Sequence, residues 1–278
     1  MKRILSLALL AVLAAVLLIG IPSCKKTDEP TDGSEDPVAP YGVDGVTPMP
    51  RAVDIGIVVD GKTVLWSSFN LGASKEYEYG DFLAWGETTK KTEYGWANYK
   101  YAKGSSTQLT RYCNNLDYWA TSAGTMDKET KLLPSDDAAQ VRLGGKWRMP
   151  EKEELEALLA TLSNAQYSWS VEMPLDEKGN EIKDSEGNTV RGWRVVSNKP
   201  GTKGNSIFFP FTGYFTYDDF LLYSHKGAGS RTGFLSTLLD SENPSRAFGI
   251  GMLNKQENIV SGSQPRADGL PVRPVCSK

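Results

Sequence analysis

The sequence predicts an α+β domain built of short, mostly antiparallel strands with one or two helices. Residues 52–71 alternate hydrophobic stretches around an Asp60-Gly61 turn. A clear amphipathic helix follows Pro150, and several strand-like segments come after it. Strands, then helices, then strands is the order typical of α+β folds, whereas regular alternation would favour a parallel sheet.

The first predicted element is a hairpin. The segment "IGIVVDGKTVLWSSF" contains two hydrophobic runs separated by Asp60-Gly61. Asp-Gly is a strong turn signal because both positions tolerate a positive φ. The next segment, "NLGASKEYEYGDFLAWGE", is aromatic and contains three glycines, which predicts a loop.

The clearest helix lies in "GGKWRMPEKEELEALL". Pro150 is expected at the first helical position, where the N–H that proline lacks would have no partner. The early glutamates favour the positive end of the helix dipole. Trp147 and Arg148 are interpreted as packing and polar contacts that seat this helix against a sheet. Four leucines at helical spacing predict one buried face: Leu155, Leu158, Leu159 and Leu162. Residues 134–140 predict a polar turn or a short helix.

Two similar turns, "DEKGN" and "DSEGN", follow the helix. Their alternating carboxylates do not match the twelve-residue calcium loop, so a protruding hairpin is the better interpretation. Further strands are expected in the segments "GWRVVSN", "SIFFPFTGYF", "TGFLSTLL", "RAFGIGML" and "LPVRPVC".

The N-terminal 24 residues are typical of an export signal. Lys2 and Arg3 precede an apolar stretch at residues 4–19 that is too short for a secure membrane span. The segment "IPSC" resembles the bacterial lipobox, which predicts lipidation of Cys24 and a membrane partner through a stable lipid anchor. Cleavage elsewhere, leaving Cys24 free, is the alternative. By resemblance to lipoproteins, Lys25 favours the outer membrane, facing the periplasm or the cell surface.

Composition divides the remaining chain into a tether and a domain. Residues 25–50 are rich in proline and acidic side chains, which predicts a stiff, extended tether. Residues 51–278 are enough for one large domain. With a net charge of -3, the chain has no basic surface that would indicate nucleic acid binding.

Apart from Cys24, the chain has two cysteines, Cys113 and Cys276. In an exported protein, two cysteines predict one disulfide. Two buried free thiols are the alternative.

Several motifs occur in an order that resembles a known family. They are "AVDIGIVVDGKTVLWSSFNLGAS", "YGDFLAWGET", "DDAAQVRLGGKWRMPEKEELEALL", "GNSIFFPFTGY" and "VRPVC". Together they resemble the Fibrobacter succinogenes major paralogous domain, found in lipoproteins of gut Bacteroidetes. The resemblance implies a C-type-lectin-like fold of the formylglycine-generating-enzyme group. Two departures concern function: the family's aromatic-Trp-Ser-Ser segment is here "GFLST", and the asparagine-rich stretch before "RPV" is replaced.

The residues for known chemistries of this fold are missing from the sequence. Non-haem iron needs several histidines, and His225 is the one histidine of the chain. A hydrolytic triad would also need His225, and there is no Gly-x-Ser-x-Gly elbow. Asp136 and Asp137 are interpreted as turn or capping residues, and Glu153 and Glu154 as solvated partners of the helix dipole. The calcium motifs of C-type lectins are absent. We therefore predict no cofactor, no metal and no enzymatic activity, with a hydrolase or oxidase ranked last.

What remains is recognition by a surface. Loops carry function more often than the elements they connect, and aromatic side chains are common anchors of glycan and protein contacts. The candidates for a loop-face site are Tyr214, Tyr217, Tyr223, Arg231, Asn254, Gln256 and Arg266. Core packing of the aromatics, and plain solvation of an edge strand bearing Asn254 and Gln256, are the alternatives. The expected ligand is a glycan or a protein. The alternative function is a structural or accessory subunit of a surface filament or envelope complex.

Overall fold

The computed structural model describes residues 40–218 and 221–278, and the side chains of residues 217–228 lie outside that description. The described residues form small antiparallel sheets with two short α-helices. The strands are β1 Ala52–Val59, β2 Lys62–Ser67, β3 Phe82–Leu83, β4 Tyr167–Glu172, β5 Gly192–Ser197, β6 Ser206–Pro210, β7 Thr212–Asp218, β8 Leu221–Ala228, β9 Arg231–Leu239, β10 Arg246–Leu253, β11 Ile259–Pro265, β12 Leu270–Pro271 and β13 Val275–Ser277. The helices are α1 Ala138–Leu143 and α2 Lys152–Ala160.

The first and last strands of the domain share one sheet, in the order β1-β2-β13. The predicted hairpin is confirmed, with Asp60 at φ 48° and Gly61 at φ 74°. Two successive positive φ angles define the turn whose twist matches that of the flanking strands. The last strand, β13, pairs with β2 and so joins the C-terminal segment to the first hairpin.

Two further three-stranded sheets, β4-β5-β6 and β11-β10-β9, lie beside a two-stranded β7-β8 ribbon and the short β3-β12 pair. The expected strand in "SIFFPFTGYF" is divided at Phe211, which separates β6 from β7. Strand β11 was not predicted, because its core sequence "VSGSQ" lacks a hydrophobic alternation.

The predicted hairpin between β4 and β5 is confirmed as two successive exposed turns. The carboxylate of Asp176 accepts hydrogen bonds from the backbone N–H groups of Lys178 and Asn180. Asp184 repeats this arrangement eight residues later in the sequence. These bonds occupy the carboxylates locally, which explains the repeated sequence without a metal ion.

The helix entry follows the prediction with one shift. Glu151 is the N-cap of α2, so Pro150 precedes the cap and does not occupy the first helical position. Leu155 and Leu158 are fully buried, and the other two leucines of the stripe pack against the same core cluster. Residues 134–140 form a 3-10 turn that leads into α1, as expected.

A long segment, residues 84–137, contains no strand and only short 3-10 turns. Its order comes from aromatic packing: Trp85, Tyr99, Tyr101 and Tyr112 make edge-to-face contacts with ring centroids 5.2 to 5.9 Å apart. Aromatic side chains bury large areas, so they can stabilise a loop of this length without regular secondary structure.

Residues 41–50, assigned from composition to the tether, instead pack against α1. Thr47 is 1% exposed, and its hydroxyl accepts a hydrogen bond from Arg142 Nε at 2.8 Å. A Cβ on Gly42 would lie 2.2 Å from the carbonyl oxygen of Arg142, so only glycine allows this approach. The packed domain therefore begins before Arg51.

Arg273 of the "VRPVC" segment is fully buried between the sheets. Its guanidinium donates to Asn70 Oδ1 at 2.9 Å, to the Ser67 carbonyl at 3.0 Å and to the Phe208 carbonyl at 2.6 Å. Burial lowers the pKa of Arg273 to about 9, so the side chain remains charged at neutral pH. This arginine is a structural link between sheets.

Candidate functional site

The candidate loop-face site starts from a contact between β7 and β9. Arg231 Nη1 donates to the Tyr214 hydroxyl at 3.5 Å, and the guanidinium carbon lies 5.8 Å from the centre of the Tyr214 ring. The bases of the two strands are joined by the hydroxyls of Thr212 and Thr232, 3.0 Å apart. Two of the candidate residues, distant in sequence, thus lie in contact, and both belong to strands and not to a loop.

Asn254, the third candidate residue, follows the end of β10, which pairs with the start of β9. Leu253 is the direct strand partner of Arg231, and the exposed Asn254 follows it. Direct partners in an antiparallel pair have Cα atoms about 5 Å apart. We define the Tyr214–Arg231 edge as Tyr214, Arg231 and Asn254.

Packed aromatic side chains support the end of β10 beside this edge. The buried Trp193 donates its indole N–H to the Leu253 carbonyl at 2.8 Å. Trp193 also makes edge-to-face contacts with Trp169 and Phe211. Because packed aromatic rings have few accessible rotamers, the end of β10 is held in a fixed position beside Arg231.

Like Arg246, Arg266 and Arg273, which donate to several uncharged oxygens instead, Arg231 has no carboxylate partner among the described residues. Its Nε is buried and has no hydrogen-bond partner, and its single side-chain bond to protein is the long one to Tyr214. By contrast, Arg148 and Arg194 each hold a carboxylate in a two-point contact at 2.6 to 2.7 Å. Arg231 therefore carries a charge that the described part of the fold does not neutralise by an ion pair.

Gln256 occupies a different setting from the one expected. Asn254 and Gln256 were expected to lie on one edge strand, but residues Gln256–Asn258 form a 3-10 turn between β10 and β11. The Gln256 amide donates to the Leu162 carbonyl at 3.1 Å, so it ties this connection to the end of the α2 region. The strand interpretation was wrong because the polar sequence "NKQEN" supplies no buried face.

Three residues singled out in the sequence cannot be placed. The side chains of Tyr217, Tyr223 and His225 lie outside the described part of the chain, although their backbones belong to β7 and β8. Cys24 also lies outside the described residues.

Arg266 is not a surface residue, and its assignment to the ligand site was wrong. It is fully buried, and its guanidinium donates to the carbonyls of Tyr112 and Pro244 at 2.7 Å and of Arg111 at 3.0 Å. It also lies 4.7 Å from the centre of a Trp85 ring. Arg266 therefore fixes the long 84–137 segment from within.

The predicted Cys113–Cys276 disulfide is contradicted by the structure. Cys113 is a buried free thiol whose Sγ lies 3.1 Å from the Asn115 carbonyl oxygen. It packs in a small cluster around Trp119 and Leu109, whereas Cys276 belongs to the core beneath β2 and β13. The two residues occupy separate hydrophobic clusters, so the number of cysteines was a poor guide to their pairing.

Asp136 is the centre of a polar cluster in the long segment. The hydroxyls of Tyr101 and Tyr112 donate to its two carboxylate oxygens at 2.5 Å, and Arg111 lies 2.8 Å away. Burial pushes the pKa of Asp136 upward, but the two tyrosine hydrogen bonds and the nearby Lys100 and Arg111 outweigh it and lower the pKa. The carboxylate is thus ionised and fully engaged by protein groups, which goes beyond the expected turn role.

Asp137 has the capping role that the sequence predicted. It is the N-cap of α1, where its carboxylate accepts from the backbone N–H groups of Ala139 and Gln140. It also accepts from the N–H of Met149 at 2.9 Å, which joins α1 to the entry of α2. Burial raises the pKa of Asp137.

Glu154 was expected to be solvated, and this was wrong. It is 4% exposed, pairs with Arg148 through both oxygens, and accepts the Glu151 N–H at 2.7 Å in a capping box. Arg148 also forms a backbone bridge to Val275 of β13. The interpretation of Arg148 as a polar contact that seats the helix is therefore confirmed, and its neighbour Trp147 is buried as expected.

Sequence reasoning missed a charged cleft of about 230 Å³ beside this ion pair. Its lining comes from the β1–β2 turn, the start of α2 and the C-terminal strand: Val59, Asp60, Lys62, Val64, Arg148, Glu151, Glu153, Glu154 and Ser277. Nothing in the sequence signals that β13 would bring Ser277 next to the first hairpin. Arg148, Glu154 and Glu151 already have charged protein partners, which leaves few buried groups free for a ligand.

Within the described residues, no three or more His, Cys, Asp or Glu side chains are grouped so that they could hold a metal ion. The same part of the chain contains no helix long and apolar enough to cross a membrane.

Comparisons with known proteins found no matching family model, no similar curated protein and no similar solved structure. The resemblance to the major paralogous domain therefore stays a prediction.

Proposed function

We propose that this chain is a lipid-anchored protein of the cell envelope whose C-type-lectin-like domain binds a glycan or a protein without catalysing a reaction. The binding site is the Tyr214–Arg231 edge. One observation carries this assignment: Arg231 is a half-buried arginine whose charge has no carboxylate partner among the described residues, and its guanidinium lies beside the Tyr214 ring.

The engagement of the acidic residues supports binding over catalysis. A general acid needs a pKa near the working pH, and a general base needs a free lone pair directed at substrate. Asp136 has a lowered pKa and four protein partners, and Glu154 is occupied by Arg148 and the helix cap. These carboxylates stabilise loops and helix ends, so the surface chemistry left for function is recognition.

A glycan array probed with the full chain, alongside a pull-down from envelope proteins, tests the proposal. Ligand binding should be lost in Arg231→Gln and weakened in Tyr214→Ala, Tyr217→Ala or Tyr223→Ala, with unchanged melting temperatures. The matched control is Arg51→Gln, because Arg51 is exposed at the start of the first hairpin. Binding that survives changes across the whole edge would reject this site.

The anchor is tested separately from the binding site. Cys24→Ser should move the protein from the membrane fraction to the soluble fraction, because the acylated residue is removed. Retention of the variant in membranes would contradict the lipobox interpretation while leaving the binding proposal standing.

The filament-subunit alternative has one observation in its favour. Strand β11 lies at the edge of its sheet, and residues 260–264 contain no charge or proline that would discourage pairing with another chain. An added strand is a common mode of subunit assembly. Gly262→Pro should prevent such pairing, and co-purification with filament subunits that Gly262→Pro abolishes would favour this alternative.

A further inference from the structure

We propose that the Tyr214–Arg231 edge selects an acidic sugar, with Arg231 pairing with the carboxylate of a uronic acid and Tyr214 supporting the sugar ring. This inference rests on the proposed function and adds the chemical class of the ligand.

Two other arginines of this protein show the geometry of a complete arginine–carboxylate pair. Arg148 and Arg194 present two nitrogens to both oxygens of one carboxylate, at 2.6 to 2.7 Å. This parallel two-point geometry is the preferred contact of arginine with a planar carboxylate. Among the described residues, Arg231 has a single 3.5 Å bond to a neutral hydroxyl, and its Nε has no acceptor. A carboxylate supplied from outside can pair with the two terminal nitrogens of this guanidinium, whereas the buried Nε faces the protein.

The surroundings of Arg231 favour a sugar over a polyanionic protein segment. The Tyr214 ring next to the guanidinium offers an apolar face of the kind on which sugar rings pack. Asn254, exposed beside the strand partner of Arg231, provides both a donor and an acceptor for sugar hydroxyls. One arginine without a carboxylate partner among the described residues suits a ligand that presents a single carboxylate at this place, such as one uronic acid unit.

The support beneath the edge fits a preformed site. The hydrogen bond from Trp193 holds the Leu253 carbonyl, and the Thr212–Thr232 contact joins the ribbon to β9. A site held by packed elements loses little conformational entropy when a ligand binds, which is important for a small ligand such as an oligosaccharide.

The test is a titration of the full chain, in detergent, with oligosaccharides of galacturonate, glucuronate and mannuronate. Each is compared with its methyl ester, with a neutral oligosaccharide and with a sulfated one. At least one free acid should bind about tenfold or more tightly than its ester. Arg231→Gln should remove that difference, Arg231→Lys should keep part of it, and Tyr214→Ala should weaken acid and ester alike. Arg51→Gln should change neither.

The outcomes separate this inference from the proposed function. Binding at the edge with no preference for the free acid, or a preference for the sulfated sugar, would overturn the carboxylate assignment and leave the binding function intact. Arg231-dependent binding of an acidic peptide, with no sugar bound, would also overturn it. No ligand bound through the edge in either the array or the titration would overturn both. Melting temperatures of the variants establish that any loss is not unfolding.

Discussion

Replacing Arg266 by methionine should destabilise the domain strongly without touching the proposed binding surface. Methionine retains much of the apolar contact with Trp85 but removes every hydrogen-bond donor of the guanidinium. The substitution leaves three backbone carbonyls, those of Tyr112, Pro244 and Arg111, without their present partner.

The expected loss follows from those contacts. A buried acceptor left without a partner costs about 1–3 kcal/mol, so three of them approach 3–9 kcal/mol. Burying the charge of Arg266 costs desolvation free energy, and methionine does not carry this cost. The difference offsets part of the loss, as when buried ion pairs are replaced by apolar residues. We expect a net decrease of about 3 kcal/mol in the free energy of unfolding, which corresponds to roughly 6–12 °C in melting temperature for a domain of this size.

Urea unfolding followed by tryptophan fluorescence, with calorimetry, measures this decrease. Arg231→Met is the matched control, since Arg231 makes one long side-chain hydrogen bond within the part of the chain that the structure describes. Its substitution should change the unfolding free energy by less than about 1 kcal/mol. The reasoning is refuted if Arg266→Met melts with the wild-type protein, or if Arg231→Met is the more destabilising of the two.

Three further predictions concern the polar clusters and the free thiol. A double-mutant cycle of Arg148→Met and Glu154→Gln, measured by urea unfolding, should give a coupling of about 1–3 kcal/mol, because the buried pair makes two hydrogen bonds; additive losses would contradict it. The pKa of Asp136 is lowered from 3.8 in the folded state, so its stabilisation is present above that value and is lost as the pH falls through the lowered pKa. Acid unfolding of Asp136→Asn should therefore depend less steeply on pH below about 4 than that of the wild type, and an equal slope would be evidence against this role. A thiol reagent should label Cys113 only after unfolding, and non-reducing peptide mapping should find no Cys113–Cys276 link, whereas labelling in the native state would contradict the burial.

Local signals in the sequence predicted much of the fold. The Asp60-Gly61 hairpin, the helix after Pro150 and the two Asp-to-Asn turns each depend on neighbouring residues, and each appears in the structure. Strand β11 escaped prediction because its side chains are small and polar, and pairing with β10 alone creates it. Local propensity cannot report a strand whose stability comes from its partner.

The site was predicted less completely, for the same physical reason. Tyr214 and Arg231 were both singled out, but their contact depends on how the β7-β8 ribbon folds back to the start of β9. Arg266 has the same side chain as Arg231 and lies in an equally polar segment, yet it is buried and donates to three backbone carbonyls from two distant parts of the chain, residues 111–112 and Pro244. Composition cannot distinguish an arginine whose guanidinium is buried and bonded to backbone carbonyls from one that makes few hydrogen bonds to the described protein groups.

The most direct measurement of the central claim is the affinity of the full chain for a uronic acid oligosaccharide and for its methyl ester, before and after Arg231→Gln. We expect a preference of about tenfold for the free acid in the wild type, and no preference in the variant at an unchanged melting temperature. Equal affinities for acid and ester in the wild type, or a preference that persists in Arg231→Gln, would contradict it.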